Sequence, residues 1–179
     1  MRPRIGVSSI GAGSATWLDW CRELEAAGLD EISVADHLIA GTLPPMVALA
    51  AASAVTERVR LAPMVLNNEL RHPAVLANEV VLLSEVSGGR FTLGIGAGHA
   101  EDEHAAIGLP LPSPAERIER LEASVAVLHR LLSGEEVTND DAHPHLTAHR
   151  AAPAPSHPRG ADPRGRRRPR RATGRGSSR

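Results

Sequence analysis

Asp36 and His37 stand side by side, and two other segments of the chain carry comparable chemical potential. One is the glycine run Gly94-Ile95-Gly96-Ala97-Gly98, followed by His99-Ala100-Glu101-Asp102-Glu103-His104; the other is Asn67-Asn68. An imidazole can donate a hydrogen bond or exchange a proton near neutral pH, and an adjacent carboxylate can set its orientation. The glycine run allows close backbone approach to a ligand, and amides at a following helix start can hold an anion. It lacks the full G-x-G-x-x-G spacing and therefore does not specify a dinucleotide. Plainer roles compete: a surface loop or helix cap for Asp36-His37, and a tight strand-to-helix turn for the glycines. The cluster at 99–104, and His143-Pro144-His145 with His149, contain metal-binding residue types. Their spacing fits no standard zinc signature, and acidic residues in a first helical turn are expected from the helix dipole alone, so no metal is expected.

The elements that position these groups follow from periodicity. Residues 4–7 read as a short strand, followed by a Gly11-Ala12-Gly13-Ser14 loop and a helix with Trp17, Cys21 and Leu24 on one face. Ser14 is a candidate cap and Gly28 a candidate stop. Residues 31–34 form the second expected strand, placing Asp36 and His37 at its carboxyl end, and a helix over 46–55 begins after Pro44-Pro45. Residues 59–65 give a third strand, Pro73 starts a helix carrying Leu76, Val80 and Leu83, and 91–95 give a fourth strand. A short acidic segment, expected to be helical, follows Gly98. Ser113-Pro114-Ala115-Glu116 is a capping box opening a helix that Gly134 ends. Strands alternating with helices imply right-handed βαβ units with parallel strands, whose carboxyl ends bind ligands.

Length and charge bound the architecture. A full eight-stranded barrel needs ~250 residues, and the pattern halts near Thr138 after four strands. The expected fold class is α/β: an incomplete TIM (β/α)8 barrel of about four parallel βα units over residues 1–141. Residues 142–179 are expected to be a degraded continuation with a disordered Arg/Pro/Gly-rich tail, because few apolar side chains remain to offset the entropy of ordering. The formal net charge of -1 averages unlike parts: residues 1–149 carry 20 acidic and 10 basic side chains, whereas 150–179 carry 10 arginines against Asp162 alone. Without aromatic residues or a recognised fold, that tail gives no specific nucleic-acid site. A single cysteine, expected to be buried, excludes an internal disulfide framework, and no apolar run reaches membrane-spanning length. No signal peptide is read at the amino terminus, and the expected location is cytoplasmic. An open four-stranded sheet is expected to expose edges and apolar inner faces, favouring a homodimer or other self-association.

The segments LDEISVADHL, RVRLAPMVLNN, RHPA, SGGR and LGIGAG, followed by PSPAERIERLEASVAVLHRLLSGEEVT, occur in that order over roughly residues 5–149. Together they resemble the amino-terminal half of luciferase-like monooxygenases, especially the F420-dependent oxidoreductases of that superfamily. The resemblance implies a (β/α)8 barrel holding reduced coenzyme F420, or alternatively FMN, at the strand carboxyl ends. It implies catalytic roles for His37, in proton handling, and Asp36, in orienting polar groups. It further implies a non-prolyl cis peptide at Met64-Val65 behind the ring, and a cofactor-facing loop at Gly96, Ala97 and Gly98. His99 occupies a position where some relatives have a glutamate acid. Relatives continue with a strand and a glycine-rich phosphate loop, where this chain reads ADPRGRRRPRR. Arginine codons CGG-CGG read one base later give glycine, and codons for 161–171 can be chosen to read approximately R-I-P-V-G-G-G-G-P-G. The expectation is therefore a frameshifted or truncated carboxyl segment with cofactor binding weakened or lost. The functional reading is an F420-dependent oxidoreductase or FMN-dependent monooxygenase acting on an unknown organic substrate; the alternative is a non-catalytic half-barrel, inactive or an oligomerisation module.

Overall fold

Strand β1 (Gly6–Ser9), helix α1 (Trp17–Ala26), strand β2 (Glu31–Val34), helix α2 (Pro45–Val55) and strand β3 (Arg60–Pro63) make two successive βαβ units. This is a computed structural model, in which residues 3–9, 16–139 and 144–151 are described. The candidate cap Ser14 and the loop around it lie outside the described residues, as does the segment 152–179. The three strands pair in parallel, in rows Gly6↔Glu31↔Arg60, Val7↔Ile32↔Leu61 and Ser8↔Ser33↔Ala62. Parallel pairing of short strands through helical crossovers is what the alternating pattern predicts.

Beyond Pro63 the third strand is interrupted. The Met64-Val65 peptide is cis, and pairing resumes in β4 (Leu66–Asn67), which lies parallel to β5 (Ile95–Gly96). The expected fourth strand is split in the same way: Phe91 bridges to Leu61, and regular pairing returns only at Ile95. Gly94 explains the close fit, since a Cβ there would lie 2.5 Å from the Pro63 carbonyl oxygen. Helix α3 (Pro73–Val86) joins the two halves of this βαβ unit, with Pro73 at its start and the His72 side chain capping the Ala74 amide. A short helix α4 (Glu101–Ala106) and the long α5 (Pro114–Leu132) follow, and α5 begins with the complete Ser113/Glu116 capping box.

Helices and sheet share one core. Ile32, Val34, Leu61 and Phe91 project from the sheet toward Leu49, Ala52, Leu76, Ala77 and Val80 of α2 and α3. Cys21 belongs to it, and burial pushes its thiol up to about 11, which keeps it a small apolar filler. Arg90, of the SGGR segment, closes the bottom of this core. Its guanidinium donates to the carbonyls of Ser53, Thr56, Val59 and to the Thr56 hydroxyl, and its Nε donates to the Ser87 carbonyl.

Alternation then fixes the opposite face of the sheet, which carries Gly6 and Ser8, Glu31 and Ser33, Arg60 and Ala62, Thr92 and Gly94. The expectation of apolar inner faces is corrected here: these positions are small or polar, because the large aliphatics all occupy the helix side. At its amino-terminal end this face forms a shallow recess lined by Arg4, Asp30, Glu31, Arg60 and Thr92.

A feature not anticipated from periodicity follows α5. Strands β6 (Glu136–Asn139) and β7 (Leu146–Arg150) form an antiparallel hairpin against α5 and α3, burying Val137, Leu146 and Ala151 with Val127, Leu128 and Leu131. Residue 141, the expected boundary, lies outside the described residues, between β6 and β7 in the sequence. Two short strands that each anchor through one or two aliphatic side chains leave too few apolar positions for a period to show. Among the described residues, no helix is long and apolar enough to cross a membrane.

Candidate functional site

At the carboxyl end of β2 the chain leaves the sheet and places Asp36 inward. Its carboxylate is nearly sealed, with 3% side-chain exposure against 22% for Arg71, with which it pairs. Arg71 Nη2 donates to Asp36 Oδ1 at 3.0 Å, Arg71 Nη1 donates to Oδ2, and the Asn67 backbone N–H donates to Oδ2 at 2.8 Å. Both oxygens are thus occupied, and Asp36 braces the end of β2 against the end of β4. A paired, hydrogen-bonded carboxylate is the form in which a buried charge is tolerated.

His37 points differently. Its Nδ1 lies 2.7 Å from Glu103 Oε1, and the Leu38 backbone N–H donates to Glu103 Oε2 at 2.7 Å. Glu103, from α4, therefore grips two successive residues after β2. Burial opposes its charge, but the Leu38 amide, the His37 hydrogen bond and the charges of His37 and His99 outweigh that cost and hold its carboxyl below the ordinary value. A charged acceptor at Nδ1 places the neutral ring's proton there and leaves Nε2 as a lone-pair nitrogen. His99 stands edge-on to this ring, with centroids 5.8 Å apart.

Asn67 links the remaining pieces. Its Oδ1 accepts the Glu69 N–H at 3.0 Å and its Nδ2 lies 2.9 Å from Nε2 of the buried His104. Gly98, at φ +73°, lies so close that a Cβ would fall 2.4 Å from Asn67 Oδ1, and a Cβ on Gly96 would fall 2.7 Å from Val65 Cγ2. The glycines at 96 and 98 are thus required by close approach to β4 and its preceding bulge. Ala97 lies in the same loop and is half-buried. Met64 and Val65, at 53% and 47% exposure, present apolar side chains to solvent.

The residues that the family resemblance implicated, Asp36, His37, Met64, Val65, Gly96, Ala97, Gly98 and His99, thus lie at the carboxyl-end rim, with different surroundings; His149 lies in β7, and His143 is outside the described residues. Asp36, Gly96 and Gly98 are engaged within the rim, whereas His37 keeps one ring nitrogen outside its bond to Glu103, and His99, Met64 and Val65 are exposed. Sequence reasoning named Asn67, Glu103 and His104 as polar groups near this rim without giving them partners, and it did not single out Arg71. The RHPA segment that contains Arg71 was the available signal, and a lone arginine before a capping histidine gives no hint of a partner 35 residues away. A second arginine reaching this side, Arg120 of α5, is closed on Glu69 at 3.0 Å. Among the described residues no group of three or more His, Cys, Asp or Glu converges as a metal site would require.

Comparison with known proteins establishes the family. The family model for luciferase-like monooxygenases matches residues 4–166. The chain belongs to that family. Among curated family relatives, an F420-dependent glucose-6-phosphate dehydrogenase of Beutenbergia cavernae is 42% identical over 123 residues, covering 65% of this chain and 36% of that protein. A 4-hydroxyprotoasukamycin monooxygenase of Streptomyces nodosus subsp. asukaensis is 35% identical over 129 residues, covering 69% of this chain and 34% of that protein. The chain thus spans little more than a third of the length of these relatives. An F420-dependent secondary alcohol dehydrogenase in complex with an F420-acetone adduct superimposes with a TM-score of 0.78 at 23% identity, covering 88% of this chain and 51% of that one. The F420-dependent tetrahydromethanopterin reductase of Methanopyrus kandleri gives a TM-score of 0.70 at 21% identity, covering 83% of this chain and 45% of that one. At these identities the likeness concerns the fold: this family member has the architecture of a partial barrel.

Proposed function

We propose that the rim formed by the carboxyl ends of β2, β4 and β5 is one wall of a cavity for the ring of reduced F420, with FMN as the alternative, in an oxidoreductase acting on an organic substrate. The observation that carries this reading is His37, held at Nδ1 by Glu103 so that Nε2 is the nitrogen free to exchange a proton. When bound, the ring supplies hydride transfer. Met64 and Val65 offer it an apolar surface, His37 and His99 offer proton-exchanging groups, and Asp36 with Arg71 keeps the strand ends in register.

The fit is to the ring and not to a phosphate. Among the described residues, Arg71 and Arg120 are the arginines that reach this segment, and each is engaged by a carboxylate, so neither offers a charge-assisted grip for an anionic tail. Titration calorimetry with F420, FMN and riboflavin tests both halves of the reading. The expected result is weak binding, with Kd of about 0.1–1 mM, and equal affinity for FMN and riboflavin. Absence of any binding at millimolar ring concentration overturns the assignment of the rim; FMN binding tenfold or more tighter than riboflavin overturns the assignment to the ring alone.

Self-association belongs to the same proposal, with a different surface than the sequence suggested. The sheet's free face is small and polar, whereas Val47 of α2 and Val75, Leu82 and Val86 of α3 stand exposed on the helix side. Light scattering across a concentration series tests it: a mass of one chain throughout refutes association.

A further inference from the structure

The noncovalent links at the rim close on themselves. Asp36 accepts the Asn67 N–H, Asn67 Nδ2 meets His104 Nε2, His104 adjoins Glu103 in the chain, Glu103 accepts from His37 Nδ1, and His37 adjoins Asp36. Three hydrogen bonds and two pairs of neighbouring residues thus form one ring. Helix α4 has only six residues, and it reaches the rim at adjacent positions: Glu103 toward β2, His104 toward β4.

The orientation of Asn67 in this ring is determined. Its Oδ1 is committed to the Glu69 amide and packs against Gly98, so Nδ2 is the group that faces His104. An amide nitrogen only donates, which makes His104 Nε2 an acceptor and places the His104 proton on Nδ1. His104 is 1% exposed, and its Nδ1 has no partner among the described residues. A buried donor left without a partner is a standing cost. It is tolerated here in exchange for the bond that Nε2 makes with Asn67.

We propose that His104 is a positioning residue for His37: by docking α4 on Asn67 it holds Glu103 in place, and Glu103 fixes the His37 tautomer that exposes Nε2. The inference rests on the proposed function only in treating His37 as a working group of the site; the geometry it asserts is independent of any cofactor.

Imidazole 15N–1H correlation spectra of the chain at neutral pH, without ligand, test it. The wild-type chain is expected to show His37 as a single tautomer protonated at Nδ1. His104→Phe keeps a ring of similar size but cannot accept from Asn67, and His37 is expected to relax to a mixed tautomer pattern with helical circular dichroism retained. His104→Gln places an oxygen where Nε2 stood and is expected to restore the wild-type His37 signature. An H104F chain that keeps the Nδ1-protonated His37 signature overturns the proposal. So does an H104Q chain that loses the signature as fully as H104F, and so does unfolding of both variants, which would make His104 a folding residue. Failure of F420, FMN and riboflavin to bind would leave these spectra unaffected, so the two readings fail separately.

Discussion

Replacing Asp36 by Asn tests whether this carboxylate serves the ligand or the scaffold. The substitution keeps the shape, removes the charge, and turns an NH2 group toward the guanidinium it formerly accepted from. Removing one partner of a fully buried pair costs about 3–5 kcal/mol, and exposed pairs contribute about 0–1 kcal/mol. The Asp36 side chain is 3% exposed and that of Arg71 22%, so the pair lies nearer the buried limit but with one edge wet. Asn can still accept the Asn67 N–H, which preserves part of the brace. A loss of about 2–3 kcal/mol follows, lowering Tm by about 4–12 °C for a domain of this size. Arg71→Met should cost a similar amount, and D36N/R71M should cost less than the two summed, with a coupling of at least about 1 kcal/mol. Thermal melts and urea titrations of the four chains measure this, alongside riboflavin affinity. If D36N changes stability by less than about 0.5 kcal/mol while riboflavin affinity falls tenfold, Asp36 contacts ligand and the scaffold argument is wrong.

Arg90→Lys removes a planar fork that serves four carbonyls and a hydroxyl, and an expected loss of about 2–4 kcal/mol would appear as a lower urea midpoint at unchanged slope. The Glu103 carboxyl is held below its ordinary value in the folded chain, so its contribution is present above the unfolded value of about 4.3 and lost as the pH falls through the folded value. Melting temperature against pH should therefore fall less steeply below about pH 5 in Glu103→Gln than in the wild-type chain. Ending the chain after residue 141 removes β7 and uncovers Val137, and Leu146→Ala in the full chain should cost about 2–4 kcal/mol; equal stability of chains ending at 141 and 151 would show that the hairpin is an ornament.

What the sequence revealed and what it concealed divide along a physical line. Local signals were read directly: the capping box at Ser113, Pro73 at a helix start, Gly28 and Gly134 at helix ends, and the strand-end position of Asp36-His37. Each depends on a few neighbouring residues. Long-range pairing was not legible. Nothing in the types of Asp36 and Arg71 says that they bond each other, and nothing in His104 distinguishes an acceptor for Asn67 from an ordinary surface histidine. The glycines at 96 and 98 show the same boundary from another side. Their need was visible, as close approach to a ligand or as a tight turn, but the particular neighbours that a Cβ would meet, Asn67 and Val65, were not.

The small and polar residues on the free face of the sheet have a consequence for volume. A closed barrel of this type is filled by layers of bulky inward side chains drawn from alternate strands, and protein interiors leave little empty space. Gly6, Ser8, Ser33, Ala62 and Gly94 contribute almost nothing to such filling, and the larger Glu31, Arg60 and Thr92 gather at the amino-terminal end of the face. Whatever faces this sheet must bring the bulk with it, through large side chains or through a ligand, and a companion surface equally lean would leave a hollow.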